Sequence, residues 1–315
     1  MEVVRLDSLE TRGWPEAALA VGNFDGVHRG HQALVALAVR DARAAGGTSV
    51  VLTFDPHPSR VLSPDRAPAS LMTLDQKAET LSGLGVDRLA VLPFTVELSR
   101  REPEEFARQV LQRALGARVV VVGSSFRFGR GRAGDLETLK RLGAALGFRV
   151  HGLRPVIARG GPISSTRIRE ALSRGDVNAA RDFLGRRFFV DGLVVKGEGR
   201  GRRIGVPTAN LQVLNEMVPG GGVYACWCRV LGGGSGGTGE SRPAAVNIGR
   251  RPTFGGGFTT VEAHLLDFEG DLYGRTLRLE FQERLREERA FPGADALVAQ
   301  IRSDLIVARR VLSAP

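Results

Sequence analysis

The regular alternation of two patterns in the first half of the chain is the feature that most constrains the fold. Short apolar runs alternate with longer segments whose apolar residues recur at three- and four-residue spacing. The short runs predict strands at Ala17–Val21, Ser49–Phe54, Arg88–Leu92, Arg118–Val122 and Phe148–Leu153. The longer segments predict helices at Gln32–Ala44, Leu74–Leu84, Glu104–Leu115 and Leu136–Leu146. Strict alternation of strand and helix predicts a doubly wound parallel sheet.

After about residue 185 the pattern changes to strand-like runs separated by turns that contain glycine and proline. These runs are Phe188–Val195, Val223–Leu231, Ala244–Ile248, Thr259–Phe268 and Arg275–Phe281. They predict a β-barrel, which one amphipathic helix, Ala294–Leu312, closes. A length of 315 residues favours two domains. We therefore predict an α/β domain over 1–183 and a β-barrel domain over 184–315.

The amino-acid composition limits which kinds of partner the protein can have. No run approaches the ~18 apolar residues of a membrane span, and acidic residues stand where a signal peptide would be apolar, so we expect a cytoplasmic protein without a membrane partner. Cys226 and Cys228 lie two apart in a predicted strand, where side chains rarely bridge, which fits a reducing compartment. The net charge of +10 is spread over both halves. This spread argues against a basic nucleic-acid-binding tail and allows phosphate-rich small substrates.

The string GNFDGVHRGH, residues 22–31, follows the first predicted strand and opens the first helix. In a doubly wound sheet this is a ligand-binding position, where a helix N-terminus offers free N–H groups to phosphate. Gly22 and Gly30 allow the backbone to approach a nucleotide closely. His28 and His31, three apart, face the same way, so both imidazoles can donate to one phosphate.

HRGH in this context resembles the HxGH signature of the nucleotidyltransferase superfamily. Within that superfamily the string resembles the FMN adenylyltransferase module of bacterial bifunctional riboflavin kinase/FAD synthetases. The resemblance implies that His28 and His31 stabilise the transition state at the α-phosphate of ATP while pyrophosphate leaves, without a covalent enzyme intermediate. It also implies that Gly22, Phe24, Asp25 and Gly30 bind ATP.

Three further segments are similar to parts of the same module. TFDPHPSRVL (53–62) resembles its flavin-side loop, with Pro56, His57 and Pro58 as flavin-binding candidates, although Pro58 also fits a rigid turn. ISSTRIREAL (163–172) resembles its second nucleotide motif. The ATP-binding candidates in that motif are Ser164, Ser165, Thr166, Arg167 and Arg169.

VGSSFRFGRGRAGD (122–135) resembles the third segment, with Ser125 at an ATP-binding position where the family usually has Asn or Asp. This departure predicts weaker adenylyl transfer or a water bridge. Asp135 is a further candidate ligand for Mg²⁺, and a helix cap is an equally good interpretation of it.

In the second half, KGEGRGRRIGVPTANL (196–211) is not a Walker P-loop, yet its glycines alternate with arginines in a way that suits phosphate. The phosphate-binding candidates are Gly197, Gly199, Arg200, Gly201, Arg202 and Gly205. Thr208 and Asn210 point to one side of an extended chain and supply hard oxygen ligands for Mg²⁺. PTAN with this glycine loop resembles riboflavin kinase.

VEAHLLDF places Glu262 and His264 on one face of a strand. The resemblance implies that Glu262 is the base that takes the proton from the ribityl 5′-hydroxyl, and we interpret His264 as structural. The same resemblance places Arg286 and Phe291 in a flavin-side flap, although surface charge and core packing would also explain them.

The first functional hypothesis is a two-step enzyme that uses ATP and Mg²⁺ to convert riboflavin to FMN and FMN to FAD. A second hypothesis keeps only the kinase active, with the first site degraded at Ser125. A third, a nucleic-acid-binding protein, is motivated by the basic charge, but aromatic residues are only 6% and do not interleave with a basic stripe. The sequence makes no prediction of oligomeric state.

Overall fold

The computed structural model describes residues 1–11, 13–197, 201, 205–232, 240–251 and 258–313. Contacts divide the chain into two units. The first unit combines Met1–Ala69 with Thr73–Ser164, and the second combines Ser70–Met72 with the chain from Ser165 on. The predicted domain boundary between residues 183 and 184 stays a prediction, because grouping by contacts does not test where an isolated domain would begin.

The first unit is built on a six-stranded sheet in which every neighbouring pair is parallel. Its strands are β1 (Glu2–Arg5), β2 (Ala17–Val21), β3 (Ser49–Phe54), β4 (Arg88–Leu92), β5 (Ala117–Gly123) and β6 (Arg149–Leu153). Their spatial order is β1-β4-β3-β2-β5-β6, which confirms the predicted doubly wound sheet. The edge strand β1 was not predicted, because it is short and largely exposed and carries no apolar run.

Helices connect these strands. They are α1 (Arg29–Ala44), α2 (Pro58–Leu62), α3 (Leu74–Ser82), α4 (Val96–Ser99), α5 (Pro103–Phe106) and α6 (Leu136–Leu146), with 3₁₀ turns at Pro64–Arg66 and Arg130–Arg132. The helix predicted over Glu104–Leu115 is α5 followed by a π-helical stretch, Ala107–Ala114, in which the Leu115 amide bonds to the Val110 carbonyl. A two-stranded ribbon, β7 (Ile157–Ala158) and β8 (Gly161–Pro162), precedes the end of the unit.

The core of the first unit explains why its strands are continuously apolar. All five residues of β2 are buried, because the sheet is covered on both faces. Leu19, Leu52, Val120 and Leu139 belong to one buried cluster. Each such side chain contributes roughly 1.5–3 kcal/mol when it leaves water. The strand order reverses beside β2, so the segment after β2 emerges at the switch point of the sheet.

The second unit is a closed antiparallel barrel, as predicted, preceded by two helices and followed by one. The helices before it are α7 (Ser165–Ser173) and α8 (Val177–Leu184). The strands are β9 (Phe189–Val195), β10 (Ala209–Val213), β11 (Gly222–Leu231), β12 (Arg242–Arg251), β13 (Phe258–Leu265) and β14 (Thr276–Arg286). Their order around the barrel is β10-β13-β12-β11-β14-β9, and β10 closes it by pairing with β9.

The final helix, α9 (Ala294–Ser313), packs on the outside of the barrel. Ala308 and Leu312 are buried against Ala225 and Ala245, whose small side chains let the helix approach the strands. The sequence analysis placed this helix correctly but did not assign β10, a short and half-exposed strand. Across the described ranges, none of the helices is both long and apolar enough to span a membrane.

Candidate functional site

The first candidate site lies at the carboxyl end of β2, where the nucleotide motif begins. The Gly22 amide donates to the Leu52 carbonyl at 3.1 Å, so the chain leaves the sheet beside β3 before α1 starts at Arg29. Phe24 and Asp25 are buried within this turn. Parallel sheets bind ligands at this edge, so the turn and the start of α1 form a nucleotide-binding position.

The two histidines of the motif stack on each other. The centroids of the His28 and His31 rings are 3.6 Å apart, with 13° between the ring planes. His28 is the N-cap of α1, and its Nδ1 accepts a hydrogen bond from the His31 amide at 3.3 Å. A Cβ on Gly30 would lie 3.1 Å from the His28 ring, so glycine leaves room for this arrangement.

The electrostatic state of His31 follows from its surroundings. Burial lowers the pKa of His31 well below 6.5, and the nearby positive charges of His28 and Lys77 lower it further. His31 is therefore neutral at neutral pH in the absence of substrate. Its buried Nδ1 has no hydrogen-bond partner within the described parts of the chain. A buried polar atom of this kind costs about 1–3 kcal/mol, which a bound ligand can recover.

The predicted flavin-side loop contacts Asn23 of the nucleotide motif through the side chains of Thr53 and His57. His57 caps α2, with its Nδ1 2.7 Å from the Ser59 hydroxyl, and its Nε2 lies 3.0 Å from Nδ2 of Asn23. Pro56 follows a cis peptide bond and is exposed, whereas Pro58 is the first residue of α2, where proline is a favoured helix starter. The structure thus brings His57 to the motif, while the flavin-binding role of all three residues stays a prediction.

Ser125 and Asp135 lie in the segment after β5, the strand next to β2. Ser125 is exposed. Asp135 caps α6 by accepting the Thr138 amide at 2.9 Å, and its other oxygen pairs with Arg127 at 3.1 Å. The hydrogen bonds from Thr138, followed by Arg127, lower the pKa of Asp135. The cap interpretation is confirmed, and the metal-ligand interpretation stays a prediction.

The second nucleotide motif crosses from one unit to the other. Ser164 ends the first unit, and Ser165 begins α7 in the second. Thr166 is exposed and Arg169 is partly buried. The Arg167 guanidinium lies 4.6 Å from the centroid of the Phe183 ring, which is a cation–π contact. The ATP contacts of these residues stay predictions.

The second candidate site is a cavity of about 320 Å³ in the barrel unit. Six predicted residues line it, namely Gly201, Thr208, Asn210, Glu262, Arg286 and Phe291. In the strand register, Glu262 of β13 stands opposite Asn210 of β10 and opposite Asn247 of β12. A carboxylate, two amides and a hydroxyl therefore surround one space, and Asn247 is a member that sequence analysis missed.

The glycine loop before β10 approaches these side chains closely. A Cβ on Gly197 would collide with the Asn210 side chain. A Cβ on Gly201 would collide with the Val206 carbonyl and lie 3.0 Å from the Thr208 hydroxyl. Gly205 has a φ of +77°, which favours glycine. The other predicted members of the loop, Gly199, Arg200 and Arg202, lie outside the described residues.

Arg286 is held by a carboxylate that sequence analysis did not identify. Its Nε lies 3.0 Å from both oxygens of Asp304, and a terminal nitrogen lies 2.8 Å from one of them. Asp304 is 6% exposed, on the inner face of α9. The signal was present, because Asp304 falls among the apolar positions 301, 305 and 308 of the predicted helix. The Arg286 guanidinium lies 5.6 Å from the centroid of the Phe291 ring.

Two further features complete this site. His264, which also lines the cavity, has its Nδ1 2.8 Å from the Pro207 carbonyl, a contact that fits the structural role predicted for it. A larger cavity of about 830 Å³ shares Asn210 with this cavity, and its lining also includes Gly197 and the polar side chains of Lys196, Gln212 and Thr260.

The donor chemistry at Thr208 and Asn210 fits Mg²⁺. In the described parts of the chain, no three His, Cys, Asp or Glu side chains come together as a metal-binding group. Mg²⁺ is usually held by one or two protein oxygens together with waters and substrate phosphates. A hydroxyl and an amide oxygen beside the glycine loop therefore suit Mg²⁺ that arrives with a nucleotide.

Two protein-family models match this chain, and the second match begins at residue 184, where the second domain was predicted to begin. The FAD synthetase model matches residues 11–167, and the riboflavin kinase model matches residues 184–312. The bifunctional riboflavin kinase/FMN adenylyltransferase of Pseudomonas fluorescens is 41% identical over 296 residues, which is 94% of this chain and 92% of that protein. The protein of the same name from Bacillus subtilis is 36% identical over 304 residues, 95% and 93% of the two chains.

A solved structure is similar over the whole length. The crystal structure titled as a macrolide-efflux protein from Streptococcus pneumoniae has a TM-score of 0.89 and 31% identity, and the match covers 98% of this chain and 99% of that one. Both family models and the full-length relatives agree with the motifs described above. The chain therefore belongs to the family of bifunctional riboflavin kinase/FMN adenylyltransferases.

Proposed function

We propose that this chain converts riboflavin to FMN in its barrel unit and FMN to FAD in its parallel-sheet unit, with ATP as the second substrate of both steps. The observation that carries this proposal is that two sets of family motifs fall into two separate clusters of side chains. The cluster around His28 and His31 lies at the switch point of the sheet. The cluster around Glu262 lines a cavity of the barrel unit.

In the kinase step, the ribityl 5′-hydroxyl of riboflavin attacks the γ-phosphate of ATP, and ADP leaves. We assign Glu262 as the base that accepts the hydroxyl proton. Asn210 and Asn247, its neighbours in the register, can hold the carboxylate in place by hydrogen bonds. Thr208 and Asn210 are the residues that would hold Mg²⁺, which supplies positive charge to the phosphates when it is bound.

The two cavities of the barrel unit suit two different substrates. The smaller one contains Phe291, Leu297, Ile301 and Leu305, an aromatic and aliphatic lining that suits the flavin ring. The larger one combines apolar side chains such as Met217 and Val218 with polar ones, including Lys196, which suits the base and the phosphates of a nucleotide. Asn210 belongs to both linings. We therefore assign riboflavin to the smaller cavity and ATP to the larger, with phosphoryl transfer near Asn210.

In the second step, a phosphate oxygen of FMN attacks the α-phosphate of ATP, and pyrophosphate leaves. His28 and His31 would donate hydrogen bonds to the charge that builds on the α-phosphate, and the N-terminus of α1 adds its positive dipole. Gly22, Phe24, Asp25 and Gly30 would shape the ATP site. Ser125, with its short side chain, would contact substrate through water. The hydroxyls and arginines from Ser164 to Arg169 would hold the triphosphate.

We further propose that the protein works in the cytoplasm. Cys226 and Cys228 are buried free thiols in β11, which suits a reducing compartment. Their burial also makes them unreactive, because it raises the pKa of both thiols.

The test is to incubate the purified protein with riboflavin, ATP and MgCl₂ and to separate the flavins by chromatography. We expect FMN to appear first and FAD to follow, and we expect both to vanish when EDTA removes Mg²⁺. FMN that accumulates without FAD would overturn the second step and favour the kinase-only hypothesis that Ser125 motivated. Absence of FMN would overturn the kinase step, and FMN supplied directly would then test the second step alone.

A further inference from the structure

Lys77 is a buried lysine that no motif predicted. It lies in the first turn of α3 and is only 9% exposed, although lysine is rarely buried. Its Nζ donates to the Asn23 carbonyl at 2.9 Å and to the Thr53 hydroxyl at 3.3 Å. Asn23 belongs to the turn between β2 and α1, so this side chain reaches the nucleotide motif from a helix about fifty residues further along the chain.

Thr53 contacts the same carbonyl. Its hydroxyl donates to the Asn23 oxygen at 3.0 Å, and Thr53 is fully buried at the end of β3. Two donors therefore converge on one backbone oxygen. The side chain of Asn23 meanwhile contacts His57 of the predicted flavin-side loop. Asn23 is thus the point where α3, β3 and the flavin-side loop all meet the nucleotide motif.

The turn that Lys77 contacts has an unfavourable backbone conformation. Phe24 has a φ of +48° and Val27 a φ of +40°, with Gly26 at +83° between them. Left-handed conformations are uncommon for residues with a side chain, and they persist only where surrounding contacts enforce them. The turn ends at His28, so its conformation sets the place of both histidine rings. Contacts that hold Asn23 therefore act on the geometry of His28 and His31.

The carboxylates of Asp25 and Asp55 interact with the Lys77 ammonium group. Asp25 and Asp55 stabilise its ammonium form and raise its pKa, although burial outweighs them and leaves that pKa lowered. The same ammonium group lowers the pKa of His31. The titratable groups that face Lys77 are therefore two carboxylates and His31, and its positive charge helps to keep His31 neutral.

We propose that Lys77 is a positioning residue for adenylyl transfer, which anchors the Asn23 carbonyl together with Thr53 and thereby holds the strained turn that carries His28 and His31. This inference rests on the proposed FMN-to-FAD step. It assigns Lys77 no contact with substrate, so its effect is on turnover through the two histidines.

The test compares Lys77→Met, Thr53→Val and the double variant in the full-length protein. Methionine keeps most of the lysine stem and removes the ammonium group, and valine keeps the shape of threonine without its hydroxyl. We expect kcat for FAD formation to fall at least about tenfold in Lys77→Met and by a smaller factor in Thr53→Val, with little change in KM for FMN. Because both groups act on one oxygen, the double variant should fall no further than Lys77→Met.

A second readout is the titration of the His31 imidazole, followed by NMR. The pKa of His31 should rise in Lys77→Met, where a neighbouring cation is lost, and stay unchanged in Thr53→Val. Lys140→Met is the matched control, because Lys140 is exposed on α6 and pairs only with Glu137 at 2.9 Å among its described contacts. Lys140→Met should behave as wild type in both measurements.

Thermal melting of each full-length variant, followed by circular dichroism, reports whether its parallel-sheet unit is folded, and FMN formation reports only that the barrel unit is intact. If Lys77→Met does not fold, the uncharged variant Thr53→Val decides alone, because loss of its hydroxyl should still lower kcat for FAD. The inference is wrong if Lys77→Met forms FAD at the wild-type kcat, if the two substitutions multiply their effects, or if a folded Thr53→Val has full activity after Lys77→Met has failed to fold. Wild-type protein that makes no FAD would instead overturn the proposed second step.

Discussion

The two candidate sites of this protein are built in opposite ways. The histidine cluster of the first unit comes from ten consecutive residues, 22–31, at the point where a buried parallel strand meets a helix. The site of the second unit is collected from segments between residues 201 and 305, including β10, β12, β13, β14 and α9. Residues that are adjacent in the chain can be recognised as a sequence motif. Residues that come from distant strands and a helix form a site only after the barrel has folded.

This difference predicts how each site fails. In the first unit, a substitution in the string removes a chemical group directly, and the sheet beneath it is unaffected. In the second unit, chemical groups and packing groups are the same residues, since Arg286 lines the cavity and also pairs with Asp304 of α9. Substitutions in the second site should therefore change activity and stability together more often than substitutions in the 22–31 motif of the first unit.

Glu262→Gln should have the largest effect. The amide keeps the shape of the side chain but cannot accept the proton, so kcat for FMN formation should fall by roughly 10² to 10⁴, while ATP binding stays nearly intact. Steady-state kinetics and ATP titration measure the two quantities. Glu283→Gln, at an exposed position on β14, is the control and should be fully active. Wild-type turnover by folded Glu262→Gln would remove Glu262 from the mechanism.

His28→Asn should abolish FAD formation and spare FMN formation. Asparagine can replace His28 as the N-cap of α1, so stability is kept while the imidazole is lost. Loss of a donor to a charged transition state lowers the rate by about 10² to 10³. The two products are measured in separate assays, with His151→Ala, a partly buried histidine of β6 outside the motif, as the control. Equal loss of both activities would show that the two sites are not independent.

Asp304→Asn should lower both the stability of the second unit and its affinity for riboflavin. Removal of one partner of a buried ion pair costs about 3–5 kcal/mol, so the free energy of unfolding of this unit should fall. The freed Arg286 should also raise KM for riboflavin by about tenfold. Urea unfolding and kinetics at several riboflavin concentrations measure these effects. Asp295→Asn, at an exposed position in the first turn of the same helix, should change neither. A change in stability without a change in KM would separate Arg286 from flavin binding.

The stability of the two units should also depend differently on pH. This effect should be smaller than those of the three substitutions above. Burial holds the pKa of His31 well below 6.5, so the unfolded state binds the proton more readily. The first unit should therefore lose stability as the pH falls below about 6.5, by up to about 1.4 kcal/mol per pH unit.

In the second unit, burial raises the pKa of Cys228 from 9.0 to about 12, so ionisation favours the unfolded state and stability should fall as the pH rises across this range. Thermal melting at pH values below and above 6.5, and below and above 9.0, tests the two predictions. His31→Asn should reduce only the acid slope, and Cys228→Ala should reduce only the alkaline slope, part of which remains because Cys226 is also buried. Unchanged slopes would contradict the assigned burial effects.

The sequence by itself determined the regular parts of the fold. The strands Ala17–Val21, Ser49–Phe54 and Arg88–Leu92 and the helix Leu136–Leu146 have the predicted bounds, because buried strands and amphipathic helices have different apolar periods. The edge strand β1 and the short β10 carry no such period, since both are largely exposed or half-exposed. The sequence motifs also identified candidate residues for both sites, including six that line the barrel cavity.

Only the tertiary structure decided which other residues support those sites. Lys77 and Asp304 belong to helices whose spacing predicts their structure but not the partners that the helices meet. Asn247 stands beside Glu262 through strand register, which pairs residues far apart in the chain. The physical reason is that burial, register and charge pairing depend on long-range contacts, and a local pattern carries no information about which distant residue completes them.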